Sequence, residues 1–153
     1  MSDVALIARP DGSFDLDFDE KSKDLRLTDS LYSFVAISIG TYARNRNLKP
    51  NSAVLEPQIG GWWADALDSL GTLGGYIYEA YPGPLSESTL SKVKDLVVEA
   101  LQWMIDDGVA KSVDCNVTVG EKDVVTISVT IEKPDGANDD YKYELNWNAT
   151  DGI

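Results

Sequence analysis

The pattern that most constrains the fold runs from Ser86 to Trp147. Leu90, Val93, Val97, Ala100, Leu101, Met104 and Ile105 recur at three- and four-residue steps. That spacing marks one face of a helix about 20 residues long. Ser86 is placed to cap its first N–H groups, Glu87 favours the positive end of its dipole, and Gly108 is placed to end it. The period then changes to two. Val113, Cys115, Val117 and Val119 alternate with polar residues, as do Val125, Ile127, Val129 and Ile131, and then Tyr141, Tyr143, Leu145 and Trp147. Gly120-Glu121-Lys122-Asp123 and Pro134-Asp135-Gly136 supply the turns. Three antiparallel strands with one apolar face need a cover, and the preceding helix provides it.

Upstream, residues 3–8 read as a strand closed by a turn at Arg9-Pro10-Asp11-Gly12. Phe14, Leu16 and Phe18 then alternate with Asp15, Asp17 and Asp19, predicting a second strand with rings on one face and carboxylates on the other. The aspartates should discourage further pairing, making this N-terminal β-hairpin an edge. A helix is expected from Thr28 or Asp29, with Leu31, Phe34, Val35, Ser38, Ile39 and Tyr42 as its apolar stripe. Arg44, Arg46 and Lys49 fall near its negative end. An irregular connection at 45–61 leads to a Trp-rich segment whose glycines allow only short helical pieces, ending at Pro82-Gly83-Pro84. The expected architecture is one α+β domain over residues 1–153. Its order is N-terminal β-hairpin, helix, irregular Trp-rich segment, and long amphipathic helix packed on a three-stranded antiparallel sheet.

Charge and residue usage narrow the chemistry. Twenty-six acidic residues against thirteen basic ones give a formal charge of -13. Such a surface repels phosphate backbones and anionic lipid, so neither nucleic acid nor membrane is expected as a partner. No segment approaches the roughly 20 apolar residues of a membrane span. The acidic start Met1-Ser2-Asp3-Val4 does not resemble a secretion leader, so action in the cytoplasm, or carriage within a larger particle, is expected. Histidine is absent, which removes every Ser–His and Cys–His dyad. Cys115, set among valines, reads as a small core residue. Asp15, Asp17 and Asp19 open like a calcium loop, but Glu20 stands where that loop needs glycine and Arg26 where it needs a bidentate glutamate. Gly71, Gly74 and Gly75 lack the spacing and lysine of a phosphate-binding loop. No cofactor and no metal are expected.

Two carboxylates suffice for glycoside hydrolysis. Glu56, Asp65, Glu79 and Glu99 are candidates, with Trp62, Trp63, Tyr76, Tyr78 and Tyr81 available to stack on sugar. A muramidase-like enzyme or saccharide-binding module is therefore the competing class. Aromatic clusters more often serve cores and interfaces. Adjacent side chains point apart on helix or strand, so Trp62 and Trp63 either split between core and partner or share an irregular core.

Several blocks together resemble a known family. They are Asp3-Val-Ala-Leu, Asp15-Leu16, Leu31-Tyr-Ser-Phe-Val-Ala-Ile-Ser-Ile-Gly-Thr41, Gly61-Trp-Trp-Ala-Asp65, Gly71-Thr-Leu-Gly-Gly-Tyr-Ile-Tyr-Glu79 and Ala100-Leu-Gln-Trp-Met-Ile-Asp-Asp-Gly-Val109. In this order the chain resembles the Mu-type phage baseplate proteins, relatives of the small baseplate wedge protein of T-even phages. The resemblance implies a non-enzymatic virion component of a contractile tail, assembled in the host cytoplasm. It further implies multiple copies in a symmetric baseplate, contacts with wedge and hub proteins, and a surface that helps initiate the tail sheath, by strand exchange at the sheet. The wider family often carries Glu-Pro-Arg after the long helix. Here Asp106-Asp107-Gly108-Val109 stands instead, so contacts through that arginine do not transfer. The expected partner contacts are Trp62, Trp63 and Asp65, the basic residues Arg44 and Arg46, and the strand with Tyr141, Tyr143 and Trp147. A solvated helix end is the other reading of the two arginines.

Overall fold

The computed structural model describes residues 3–9, 14–28, 30–46, 61–62, 65, 73–81 and 83–147. The turn at Pro10, the cap at Asp29, most of the 45–61 connection, Trp63 and Gly71 lie outside them. Short strands β1 (Asp3–Val4), β2 (Leu6–Ala8), β3 (Phe14–Leu16), β4 (Phe18–Asp19), β5 (Asp24–Leu25) and β6 (Leu27–Thr28) come first. Helix α1 (Tyr32–Gly40) follows, then a 3-10 turn at Ile77–Glu79 and helix α2 (Glu87–Asp106). Strands β7 (Ser112–Val119), β8 (Val124–Glu132) and β9 (Asn138–Asn146) complete the order.

The C-terminal layer follows its sequence pattern. Extended Ser86 accepts the N–H of Thr89 at 3.2 Å, and Gly108 ends α2 at φ +71°. No atom lies within 4 Å of a Cβ built there, so conformation rather than space favours glycine. Val93, Val97, Leu101 and Met104 are fully buried, together with Leu96 one step aside. The sheet runs in the order β7-β8-β9 with antiparallel pairs, and Val129 stands between Cys115 and Tyr141. Val125, Ile127, Val129 and Ile131 of the central strand are buried, as alternation demands.

Turn hydrogen bonds fix which backbone groups face outward. Gly120 N–H bonds Val124 O at 2.7 Å, and Lys133 N–H bonds Ala137 O at 2.8 Å. Bonded pairs recur every second residue. The backbones of Asp139, Tyr141, Tyr143 and Leu145 therefore face β8, while those of Asn138, Asp140, Lys142 and Glu144 face the open side of β9. On β7 the outward set is Val113, Cys115, Val117 and Val119.

The N-terminal segments depart from a plain hairpin in one respect. β2 pairs with β3 as expected, but β4 pairs with β5, and β1 with β6. Three backbone bonds close a ring at the crossing: Ala5 N–H to Arg26 O, Arg26 N–H to Asp17 O, and Asp17 N–H to Ala5 O, at 2.8, 2.8 and 2.9 Å. Each extended segment changes neighbour at its middle residue. The aspartate-bearing segment remains an edge, as expected, because each N-terminal sheet has only two strands, with β3 beside β2 and β4 beside β5. A tight loop returns the chain to β5, where the Asp19 carboxylate takes Lys21 N–H at 2.9 Å and its carbonyl takes Lys23 N–H at 2.9 Å. The apolar residues do not share one buried face. Phe14 packs against Tyr32 and Tyr143, whereas Leu16 and Phe18 each remain 51% exposed because the strand leaves the core at Asp17.

Helix α1 starts later than expected. Its N-cap is Leu31 with no side-chain cap, and Thr28 Oγ1 instead accepts Ser30 N–H at 3.1 Å. The Tyr141 hydroxyl of β9 accepts Leu31 N–H at 3.0 Å, and the Tyr143 hydroxyl donates to Tyr32 O at 3.2 Å. Ser33 Oγ donates to Val4 O at 2.8 Å, tying in the first strand. Glycines then permit a close crossing. Gly75 N–H bonds Thr41 O, and Ala43 N–H bonds Gly75 O, both at 2.9 Å. A Cβ on Gly75 would stand 2.9 Å from the Ala100 methyl, and one on Gly74 (φ +96°) 2.3 Å from Thr41 O.

Leu101 is 0% exposed between α2 and the sheet. Leu101→Ala should therefore lower unfolding free energy by about 2–5 kcal/mol. Val119→Ala, at a position 43% exposed, should change it by less than about 0.5 kcal/mol in urea titrations.

Candidate partner-contact site

The residues expected to meet partners separate into three groups. Trp62 lies 47% exposed beside the start of the Trp-rich segment. Gly61 N–H bonds Tyr42 O at 2.7 Å, and Gly61 (φ +94°) sits where a Cβ would stand 2.9 Å from the Arg44 Cβ. Arg44 is exposed next to it. Asp65 is engaged within the chain, where Oδ2 accepts Trp62 N–H and Oδ1 accepts Leu73 N–H, both at 3.1 Å. One carboxylate thereby closes the chain from 62 to 73. Trp63 lies outside the described residues.

Arg46 behaves unlike its neighbour. Its Nε and Nη2 donate to both oxygens of Glu79 at 3.0 and 3.2 Å, and Nη1 donates to Glu99 at 2.9 Å. The guanidinium carbon stands 3.9 Å from the centre of the Tyr76 ring. Hydrogen bonding to Glu79, reinforced by Glu99, raises its pKa above the ordinary arginine value. Arg46 joins the strand-like chain after α1 to the 3-10 turn and α2, so its donors are committed within the protein. It is not a solvated helix end, since α1 ends at Gly40 with no basic residue in its last turn.

The third group faces inward. Tyr141, Tyr143 and Trp147 are 9%, 7% and 5% exposed. Tyr143 stacks on Tyr32 with ring centres 5.3 Å apart, and Trp147 meets Tyr81 edge-on at 5.3 Å while its Nε1 donates to Gly83 O at 3.2 Å. Burial raises the pKa of Tyr141 and Tyr143, and the Asp139 bond raises Tyr141 further. On the other face of β9 the side chains of Asp140, Lys142 and Glu144 are exposed.

The carboxylates considered for glycoside chemistry are also placed. Glu79 and Glu99 share Arg46, Asp65 holds two backbone N–H groups, and Glu56 lies outside the described residues. Among the described residues no group of three acidic or cysteine side chains is arranged to hold a metal, and no helix is long and apolar enough to cross a membrane. Burial pushes the Cys115 thiol up to about 11.

One arrangement was not legible in the pattern. Lys133 Nζ reaches Asp139 Oδ2 at 2.7 Å, and the same oxygen takes the Tyr141 hydroxyl at 2.9 Å, which in turn receives Leu31 N–H. Its only sequence trace is a tyrosine two residues beyond an aspartate.

The fold and these contacts define a small α+β protein whose distinctive polar residues mostly hold its own elements together, leaving strand edges and a few apolar side chains outside. The chain belongs to the phage protein GP46 family, whose model matches residues 31–138. It is 29% identical over 147 residues to the Mu-like prophage FluMu protein gp46 of Haemophilus influenzae, spanning 96% of this chain and 98% of that protein.

The Lys133 bond holds the Asp139 pKa below the ordinary aspartate value. Its stabilising effect is therefore present above the unfolded-state value and lost as pH falls through the lower folded-state value. Asp139→Asn should be less stable than wild type at neutral pH, and the difference should shrink across that acidic window. Urea midpoints measured over the pH range test this, and a constant difference would contradict it.

Proposed function

We propose that the protein is a structural, non-enzymatic component of a contractile phage tail baseplate. In this reading it is a wedge-type protein near the hub that joins neighbouring wedge subunits and helps initiate the sheath. It is made in the host cytoplasm and carried in the virion in multiple, symmetry-related copies. Membership of a phage protein family, with near full-length similarity to a Mu-like prophage protein, is the observation that carries the reading. The geometry supports it through the open side of β9. Asn138, Asp140, Lys142 and Glu144 direct backbone donors and acceptors outward, and none of these bonds another described backbone group. A strand from a neighbour can add there by main-chain hydrogen bonding.

The side chains along that edge already suit a strand's outer face. Thr130 Oγ1 donates to Asp140 at 2.6 Å, and Lys142 pairs with Glu144 at 2.9 Å. The reading requires the protein in purified tails at a fixed copy number, measured by quantitative mass spectrometry; absence from the particle would overturn it. Proline removes an outward N–H without breaking the bonds to β8. Lys142→Pro should fold and yet enter particles about tenfold less well, whereas Lys142→Ala should enter normally. Equal incorporation of both variants would rule out edge pairing at this strand.

A further inference from the structure

Half of the large apolar side chains standing exposed among the described residues belong to the N-terminal strands: Ile7, Leu16, Phe18, Leu25 and Leu27. The hairpin formed by β4 and β5 concentrates the feature. Phe18 faces Leu25 across the pair, and the two are 51% and 38% exposed. On the reverse face Asp19 stands opposite Asp24. Like charges directly opposed in an antiparallel pair repel. Neither carboxylate forms an ion pair among the described residues, since Arg26 is drawn to Asp17 at 3.4 Å and Arg9 to Asp15. Asp19 is held by the Lys21 and Ser22 N–H groups and the Ser22 hydroxyl and is drawn towards Arg26, and Asp24 accepts the Leu25 N–H at 2.8 Å. The free protein thus keeps an exposed Phe18–Leu25 pair on one side of this hairpin and two adjacent carboxylates on the other.

We propose that residues 18–25 form a two-sided plug for a cleft in a different polypeptide. One wall of the cleft is apolar and covers Phe18 and Leu25. The other carries lysine or arginine and neutralises Asp19 and Asp24. Docking covers the exposed apolar pair and sets the two carboxylates against opposite charge together. Charge argues against a second copy as the occupant. The chain has thirteen cationic residues against twenty-six acidic ones, and Arg9, Arg26 and Arg46 are among those already paired internally. This surface is separate from the β9 edge, and the inference does not depend on the baseplate reading.

The test places a photoreactive benzophenone residue at position 25 of the full chain in phage-producing cells. A single crosslinked species containing a chain of different sequence is expected. Asp24→Lys should reduce it at least about tenfold. The same substitution turns the opposed Asp19 pair attractive, so the Tm of the purified protein should hold or rise. A role in folding alone predicts the opposite, a lower Tm. Crosslinking to a second copy, no crosslink, a crosslink indifferent to Asp24→Lys, or a lower Tm would each overturn the plug. If the crosslink behaves as expected, the plug stands whether or not the captured chain is found in purified tails, and the copy number of this protein in those tails tests the baseplate reading separately.

Discussion

The structure depends on two tyrosine hydroxyls. Tyr141 and Tyr143 lie on the inner face of β9, and their oxygens bond backbone groups at the start of α1 over a hundred residues earlier in the chain. The rings fill the space between sheet and helix, while the hydroxyls satisfy polar groups that burial would otherwise penalise. Tyr32 and Phe14 pack on the same rings, so the N-terminal strands are attached through them. Ser33 adds a direct bond from helix to first strand. Helix α1 has a second seat on α2, where Trp103 Nε1 donates to Ser38 Oγ at 3.0 Å and the Phe34 ring meets Trp103 edge-on.

A second joint operates by charge. Arg46 gathers Glu79 and Glu99 and lies over Tyr76, which fixes the chain after α1 against the 3-10 turn and α2. Partly exposed ion pairs contribute modestly to stability. The value here is geometric, because planar guanidinium donors specify the direction of both carboxylates. The glycine crossing at 74–75 lies near this joint and needs its precision, since a methyl at either position meets neighbouring atoms.

The C-terminal layer was legible in the sequence because local periodicity and tertiary burial agree there. Val125 to Ile131 alternate in the chain and in exposure alike. The N-terminal part was legible only to its first pairing. Phe14, Leu16 and Phe18 share a period, but the ring of bonds through Ala5, Asp17 and Arg26 redirects each segment, and periodicity cannot register a change of partner. The candidate contact residues show the same limit. Unusual residue types drew attention to Arg46, Asp65, Tyr141 and Trp147, yet each is engaged by neighbours distant in sequence. Rarity of type signalled a structural demand and left its direction undetermined.

Charge connects the inward and outward surfaces. An open strand edge invites pairing between copies, and proteins restrain this with charge. Here the restraint is spread over the whole molecule: a formal charge of -13 makes encounters between free copies unfavourable at low salt. Asp140 and Glu144 lie along the β9 edge, as Asp19 and Asp24 lie on the hairpin, so either surface repels a second copy more than it repels a basic chain. Main-chain pairing alone carries little preference among partners. Opposite charge is what can supply that preference, since it favours a cationic neighbour over another copy of the same acidic chain.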